Sequence, residues 1–149
     1  MDYLHFKECG LDNVYLVNGY RFGQTGNGEE VLLIEDLPGL HAAIAKAVVE
    51  SPAHLDAKTF KYLRKHLDMA QRQVAELLGM SEESVSLWER ARQPLPKYAD
   101  IIIRTMVKEK CSGNAELIGL VERYNELDRT VQEDSLRLRL DHNAWSAAA

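Results

Sequence analysis

The sequence predicts an α+β protein that is mainly helical: a small N-terminal β-sheet region, a five-helix central unit, then a C-terminal helix and strand. Three patterns carry that expectation. β-formers broken by turn residues crowd the first 34 positions, apolar residues recur at helical spacing through the middle, and three leucines alternate with arginine near the end. With 149 residues, 46% hydrophobic and 28% charged, the chain has the balance of a globular protein with mass enough for a core.

Strands fit Tyr3–Glu8, Val14–Val17 and Glu30–Ile34, separated by Asp12-Asn13, by Asn18-Gly19 with its hairpin-turn signature, and by the glycine-rich run Gly23 to Gly28. A region this small is not stable alone, so its sheet must lean on another surface. Pro38-Gly39 opens a helix from Leu40 to Glu50, and Ser51-Pro52 closes it because proline cannot continue the hydrogen-bond ladder.

From Asp56 onward short helices follow one another. Asp56 caps the first, with Phe60, Leu63 and Leu67 on one face. Gln71–Leu78 forms the next with Val74, Ala75 and Leu78 inward, and Gly79 supplies the left-handed residue that ends it. Ser81 caps a third helix running through Arg90. Pro94 and Pro96 start a fourth, in which Ile102 and Met106 face the core.

After Cys111-Ser112-Gly113, the stripe Leu117, Leu120, Val121, Tyr124, Leu127 and Val131 reads as helical core or dimer seam. Leu136, Leu138 and Leu140 alternate with Arg137 and Arg139 as in a strand. Its expected partners are the N-terminal strands, within a protomer or across a dimer, with Trp145 anchoring the tail. The implied division is 1–52 (sheet and helix), 53–110 (helical unit) and 111–149 (C-terminal helix and strand).

The formal charge of −5 conceals an asymmetry: Ala57 to Lys110 holds eleven basic and seven acidic residues, +4, and the remainder stands at −9. A basic segment between acidic flanks suits a surface that meets phosphate. Two cysteines, Cys9 and Cys111, are too few for a disulfide framework. No apolar run is long enough for a membrane span, and the acidic start Met1-Asp2 is unlike a signal peptide, so a soluble cytoplasmic protein is expected.

Catalytic and cofactor patterns are missing. The glycine-rich run lacks the lysine of a phosphate loop, and Glu29-Glu30 follow it, so a hairpin loop is expected. His5 and Cys9 could share one face of a strand, but two ligands do not make a metal site. His41, His54, His66 and His142 stand singly without a nucleophile. No enzyme activity, cofactor or metal is expected.

Two short helices joined by a tight turn form a helix-turn-helix. Ala75 is small where the helices cross, Gly79 turns the chain, and Val85 and Trp88 hold the second helix so that its N-terminal residues face a major groove. The run Leu63-Arg64, Gln71, Val74-Ala75, Leu78-Gly79-Met80-Ser81, Val85-Ser86 and Trp88-Glu89 resembles the Cro/C1-type (XRE) helix-turn-helix family over about Thr59 to Met106. Cys9-Gly10-Leu11-Asp12-Asn13-Val14, followed by a helix and this motif, is similar to regulators related to the MqsA-type antitoxins, without their paired zinc cysteines.

That resemblance implies roles. Gln71 and Arg72 would touch phosphate at a helix N-terminus. Ser81, Glu82, Glu83, Ser86 and Leu87 would present to base edges, Arg90, Arg92 and Lys97 would grip the flanking backbone, and Arg64 with Glu89 would form an internal ion pair. Three positions depart from the family pattern. Ala70 replaces a capping hydroxyl, so that cap is either missing or supplied by Asp68. Ala91 replaces a glycine, so the exit turn is expected to differ. Glu82 and Glu83 put carboxylates at the reading tip, so either the target is C-rich there or DNA binding is weak.

Two readings follow. One is a homodimeric transcriptional regulator that binds a palindromic operator on double-stranded DNA. The other is an antitoxin-like module that neutralises a toxin partner, its DNA binding kept for autoregulation or lost.

Overall fold

In the computed structural model, which describes residues 3–114, 116–126 and 136–148, the N-terminal region forms two separate antiparallel pairs. β1 (Leu4–His5) pairs with β2 (Tyr15–Leu16), and β3 (Tyr20–Gln24) pairs with β4 (Glu30–Ile34). The register Leu4↔Leu16 turns Leu16 inward, where it joins buried Phe6 and Leu11. Asn18-Gly19 therefore does not close a hairpin. It links the two pairs, with Gly19 at φ 80 and its carbonyl accepting the Glu35 N–H at 2.8 Å. Burial of Leu16 holds β2 against β1 and leaves β3 to pair onward.

β3 was not among the expected strands because Gly23, a poor strand former, interrupts its pattern. Packing explains the glycine: a Cβ there would lie 3.1 Å from Cδ1 of Leu33. The glycine-rich run forms the β3–β4 loop, closed by Thr25 N–H to the Glu29 carbonyl at 2.8 Å.

α1 (Leu37–Glu50) begins three residues before the expected start, because Pro38 fits the first turn, where no N–H partner is needed. The Asp36 carboxylate caps it at Gly39 N–H (3.2 Å). α2 (Ala57–His66) opens with a reciprocal cap, Asp56 and Thr59 each bonding the other's backbone N–H at 2.8 Å. α3 (Gln71–Leu78), α4 (Glu82–Glu89) and α5 (Lys97–Cys111) follow, so the stretch 53–110 holds four helices and the fifth of the helical unit is α1, which the sequence division grouped with the sheet. Phe60, Leu63, Val85, Ile103 and Val107 are its most enclosed side chains, and Phe60 meets Trp88 edge-on at 6.0 Å. The same core continues through Val49, Ala45 and Ile44 to Leu16, Leu11 and Phe6.

Polar ties fasten the layers. Arg104 of α5 donates to the carbonyls of Val49 (2.9 Å) and Ser51 (2.8 Å) and to that of Ala53, satisfying oxygens that the end of α1 leaves without helical partners. Its ion-pair partner Asp100 accepts the Leu55 N–H at 2.9 Å. The Tyr62 hydroxyl lies 2.8 Å from His41 Nδ1, joining α2 to α1, and burial pushes its ionisation up to about 12. Lys58 holds Asp12 at 2.6 Å, and that contact pulls the Asp12 carboxyl below its ordinary range.

The turn after α4 does not depart from the glycine-type conformation as expected. Ala91 itself takes it, at φ 56, with its N–H bonded to the Trp88 carbonyl at 3.2 Å.

α6 (Glu116–Glu126) begins with the Leu117 N–H held by the Glu109 carboxylate at 3.0 Å. Leu117 is half-buried and Leu120 is 63% exposed, so the expected stripe is not wholly enclosed. Leu127 and Val131, and the side chains of Val121 and Tyr124, lie outside the described residues. The terminal strand does not join the N-terminal sheet. β5 (Leu138–Asp141) pairs with β6 (Ala144–Ala147), which the alternation had not revealed. His142 and Asn143 both have positive φ (50 and 62), the turn whose twist suits a two-residue hairpin, so a local partner forms first. Trp145, expected as an anchor, lies opposite Leu140 and is 70% exposed. Among the described residues no helix is long and apolar enough to cross a membrane.

Two outcomes follow from these contacts. Ala91→Gly removes the penalty of a Cβ in the left-handed region, so urea unfolding should show a gain of about 1 kcal/mol with unchanged cooperativity. Burial, then the charges of Lys110 and His41, hold the His66 ring below its ordinary range of about 6.5. The unfolded chain therefore takes up that proton first as pH falls. The stability linked to His66 is present above about pH 6.5 and lost below it, and His66→Gln should flatten the change in unfolding midpoint between pH 7.5 and 5.5.

Candidate nucleic-acid interface

α3, the turn and α4 are set by small local requirements. Ala75 is buried at the crossing of the two helices, and Gly79 takes φ 67. Met80 N–H reaches back to the Ala75 carbonyl at 2.9 Å, closing the α3 C-terminus. The Ser81 hydroxyl caps α4 by accepting the Ser84 N–H at 3.2 Å. Val85 and Trp88 are buried beneath α4, so Glu82, Glu83 and Arg90 stand in solvent while Ser86 and Leu87 are half-buried.

A buried ion pair fixes the last turn of α4. Arg64 grips Glu89 through two parallel bonds, Nε to Oε2 at 2.6 Å and Nη2 to Oε1 at 2.8 Å, with the side chains 10% and 2% exposed. Nη1 donates to the Met69 carbonyl at 2.9 Å, and the Gln71 amide donates to Glu89 Oε1 at 3.1 Å. The Arg64–Glu89 pair with Gln71 thus ties together α2, the α2–α3 turn, α3 and α4.

The other residues singled out in the sequence divide by what they touch. The Gln71 side chain belongs to the buried network, leaving its backbone N–H at the α3 N-terminus. Arg72 is exposed and pairs with Glu76 at 3.3 Å. Arg90 lies over the last turn of α4, its Nε 3.4 Å from the Ser86 carbonyl. Arg92 and Lys97 are exposed and have no ion-pair partner among the described residues. The basic surface is smaller than the residue count implies: Arg64 and Arg104 are consumed by internal pairs, Lys58 by Asp12, and Lys110 by the His66 carbonyl.

Two contributors were not singled out. The side-chain cap of α3 is missing, since no side chain accepts an N–H of its first turn, and Gln73 supplies only the reciprocal half of a capping box, its Oε1 accepting the Ala70 N–H at 2.7 Å. Glutamine three residues after the cap position is the signature that could have found it. Arg104 was legible as an i, i+4 pair with Asp100, but its reach to Val49, Ser51 and Ala53 needs the fold.

His5 and Cys9 are engaged separately. The His5 ring stacks on Tyr15 at 4.5 Å and bonds the Asp12 carbonyl at 2.7 Å, whereas Cys9 Sγ lies 3.5 Å from the Phe6 carbonyl. Among the described residues no group of three or more His, Cys, Asp or Glu could hold a metal ion.

No curated protein and no solved structure matches the chain. Residues 60–106, from Phe60 in α2 to Met106 in α5 and so including the whole turn and the Arg64–Glu89 pair, match the helix-turn-helix family.

Proposed function

We propose that this chain is a sequence-specific, Cro/C1-type transcriptional regulator that binds a palindromic operator as a homodimer, with α4 in the major groove. The observation that carries the reading is α4 itself: fixed from beneath by Val85 and Trp88 and laterally by Arg64–Glu89, it presents Glu82, Glu83 and Arg90 to solvent at one rigid edge. A protein that only packs helices has no need to hold an exposed edge so firmly.

In this reading the α3 N-terminus, through the Gln71 backbone N–H and the Arg72 guanidinium, meets phosphate. Ser81, Glu82, Glu83, Ser86 and Leu87 face base edges. Ser81 also keeps its capping bond, so it contacts DNA with its remaining valence. Arg90, Arg92 and Lys97 hold the backbone beside the groove. A glutamate that accepts from cytosine N4 gives the acidic tip a use, and the basic rim offsets its repulsion of phosphate. Two such units would read half-sites about 34 Å apart.

Antitoxin-like binding of a basic protein partner is the second reading. It draws on Glu82 and Glu83, which are exposed and, among the described residues, unpaired.

The test is fluorescence anisotropy on a random duplex pool at two salt concentrations, followed by selection of bound sequences. A selected palindrome whose affinity falls as salt rises supports the regulator. No binding at low salt overturns it and turns the search to a basic protein. Arg92→Ala should weaken binding to every sequence alike and reduce the salt slope by about 1. Glu83→Gln should change the preferred base at one position, by about 1–3 kcal/mol of discrimination. An equal loss on all sequences would remove Glu83 from base reading.

A further inference from the structure

The β5–β6 hairpin gathers its large apolar side chains on one face. In its register Leu140 lies opposite Trp145 and Leu138 opposite Ala147 on one face, and Leu136 lies two residues before the strand. Arg139 opposite Ser146 and Asp141 opposite Ala144 form the other face. The apolar face is bare: Leu138, Leu140 and Trp145 are 56%, 51% and 70% exposed, and Leu136 ahead of the strand is 81% exposed. A two-stranded hairpin is marginal in water unless such a face is covered.

We propose that this face is covered by the same face of a second copy of the chain, the two hairpins stacking across a two-fold axis. The composition selects the occupant. The face carries no charge, so it meets its own image without setting like charges together, and a two-fold contact requires that self-complementarity. Phosphate, an acidic peptide or a basic peptide would find nothing on it to pair with, since Arg137, Arg139 and Asp141 point the other way. Counted on both copies, these side chains offer on the order of 1,000 Å², the size at which specific interfaces begin. Stacked sheets lie about 10 Å apart, close enough for Trp145 of each copy to cover Leu138 and Leu140 of the other. This inference rests on the dimeric part of the function proposed above and is independent of DNA.

The experiment is sedimentation velocity of the full chain without DNA, from 1 to 200 μM, alongside Leu140→Lys and, on the polar face, Arg139→Ser. The wild type and Arg139→Ser should dimerise, and Leu140→Lys should self-associate at least tenfold more weakly. Trp145 emission provides a second readout that needs no hairpin variant, because Trp88 is buried and contributes a constant background. As wild-type dimer forms, emission should move to shorter wavelength, and this shift should be absent in Trp145→Phe. A wild type that stays monomeric, a Leu140→Lys chain that dimerises as well as wild type, or a dimer whose Trp145 stays water-exposed overturns the proposal. Because no DNA is present, failure here leaves the DNA-binding reading standing, and loss of DNA binding leaves this one standing.

Discussion

The geometry of the exposed edge depends on one buried carboxylate. Glu89 lies in the last turn of α4, yet its oxygens are bonded by Arg64 of α2 and Gln71 of α3. Such a pair does not stabilise a fold much beyond what an apolar replacement would, because both charges must leave water. Removing one partner is costly, at about 3–5 kcal/mol, because it strands the other charge in the interior. What the pair supplies is direction. Apolar packing through Val85 and Trp88 keeps α4 against the core but tolerates small rotations, whereas a two-pronged guanidinium–carboxylate contact has one good alignment.

A similar logic operates at the far side of the helical unit. Residues 51–56 form no regular element, and their backbone oxygens and N–H groups would be a liability next to the core. Arg104 and Asp100 take up several of them, so an irregular segment is held as firmly as a helix end. The N-terminal strands profit from this, since Phe6, Leu11 and Leu16 rest on α1, whose C-terminus Arg104 fixes. Neither strand pair is large enough to persist without that support.

The helices were legible because each carries its own punctuation. Asp56, Gly79 and Ser81 mark ends through bonds that form within a few residues, and the periodic burial of Phe60, Leu63, Val74 and Val85 needs no distant partner to be recognised. Pairing of strands is another matter. Asn18-Gly19 is locally competent to turn, but whether it joins two strands depends on which neighbour buries Leu16, a tertiary question. At the C-terminus alternation identified β5 and not its partner, because β6 (Ala144–Ala147) has one large apolar residue and little pattern of its own. Ala91 failed in the opposite sense: its residue type argued against a left-handed turn, and the packing of α4 imposed one. Of the candidate site, the exposed tip and the basic rim were readable as sequence. That the Gln71 side chain and the Arg64 guanidinium turn inward was visible only through the resemblance for Arg64, and not at all for Gln71.

Glu82 and Glu83 have a consequence for how ionic strength acts on this surface. As the first-turn acids of α4 they complement the positive end of its dipole, so they favour the helix they begin. Facing a polyanion, the same two carboxylates oppose approach. In the regulator reading, added salt would loosen the grip of Arg90, Arg92 and Lys97 while relieving the repulsion at the tip only a turn or two away. The two effects partly cancel, so affinity should fall with salt less steeply than the number of rim cations alone dictates. In that reading the acidic tip would make the interface less adhesive towards arbitrary sequence and less sensitive to the ionic conditions around it.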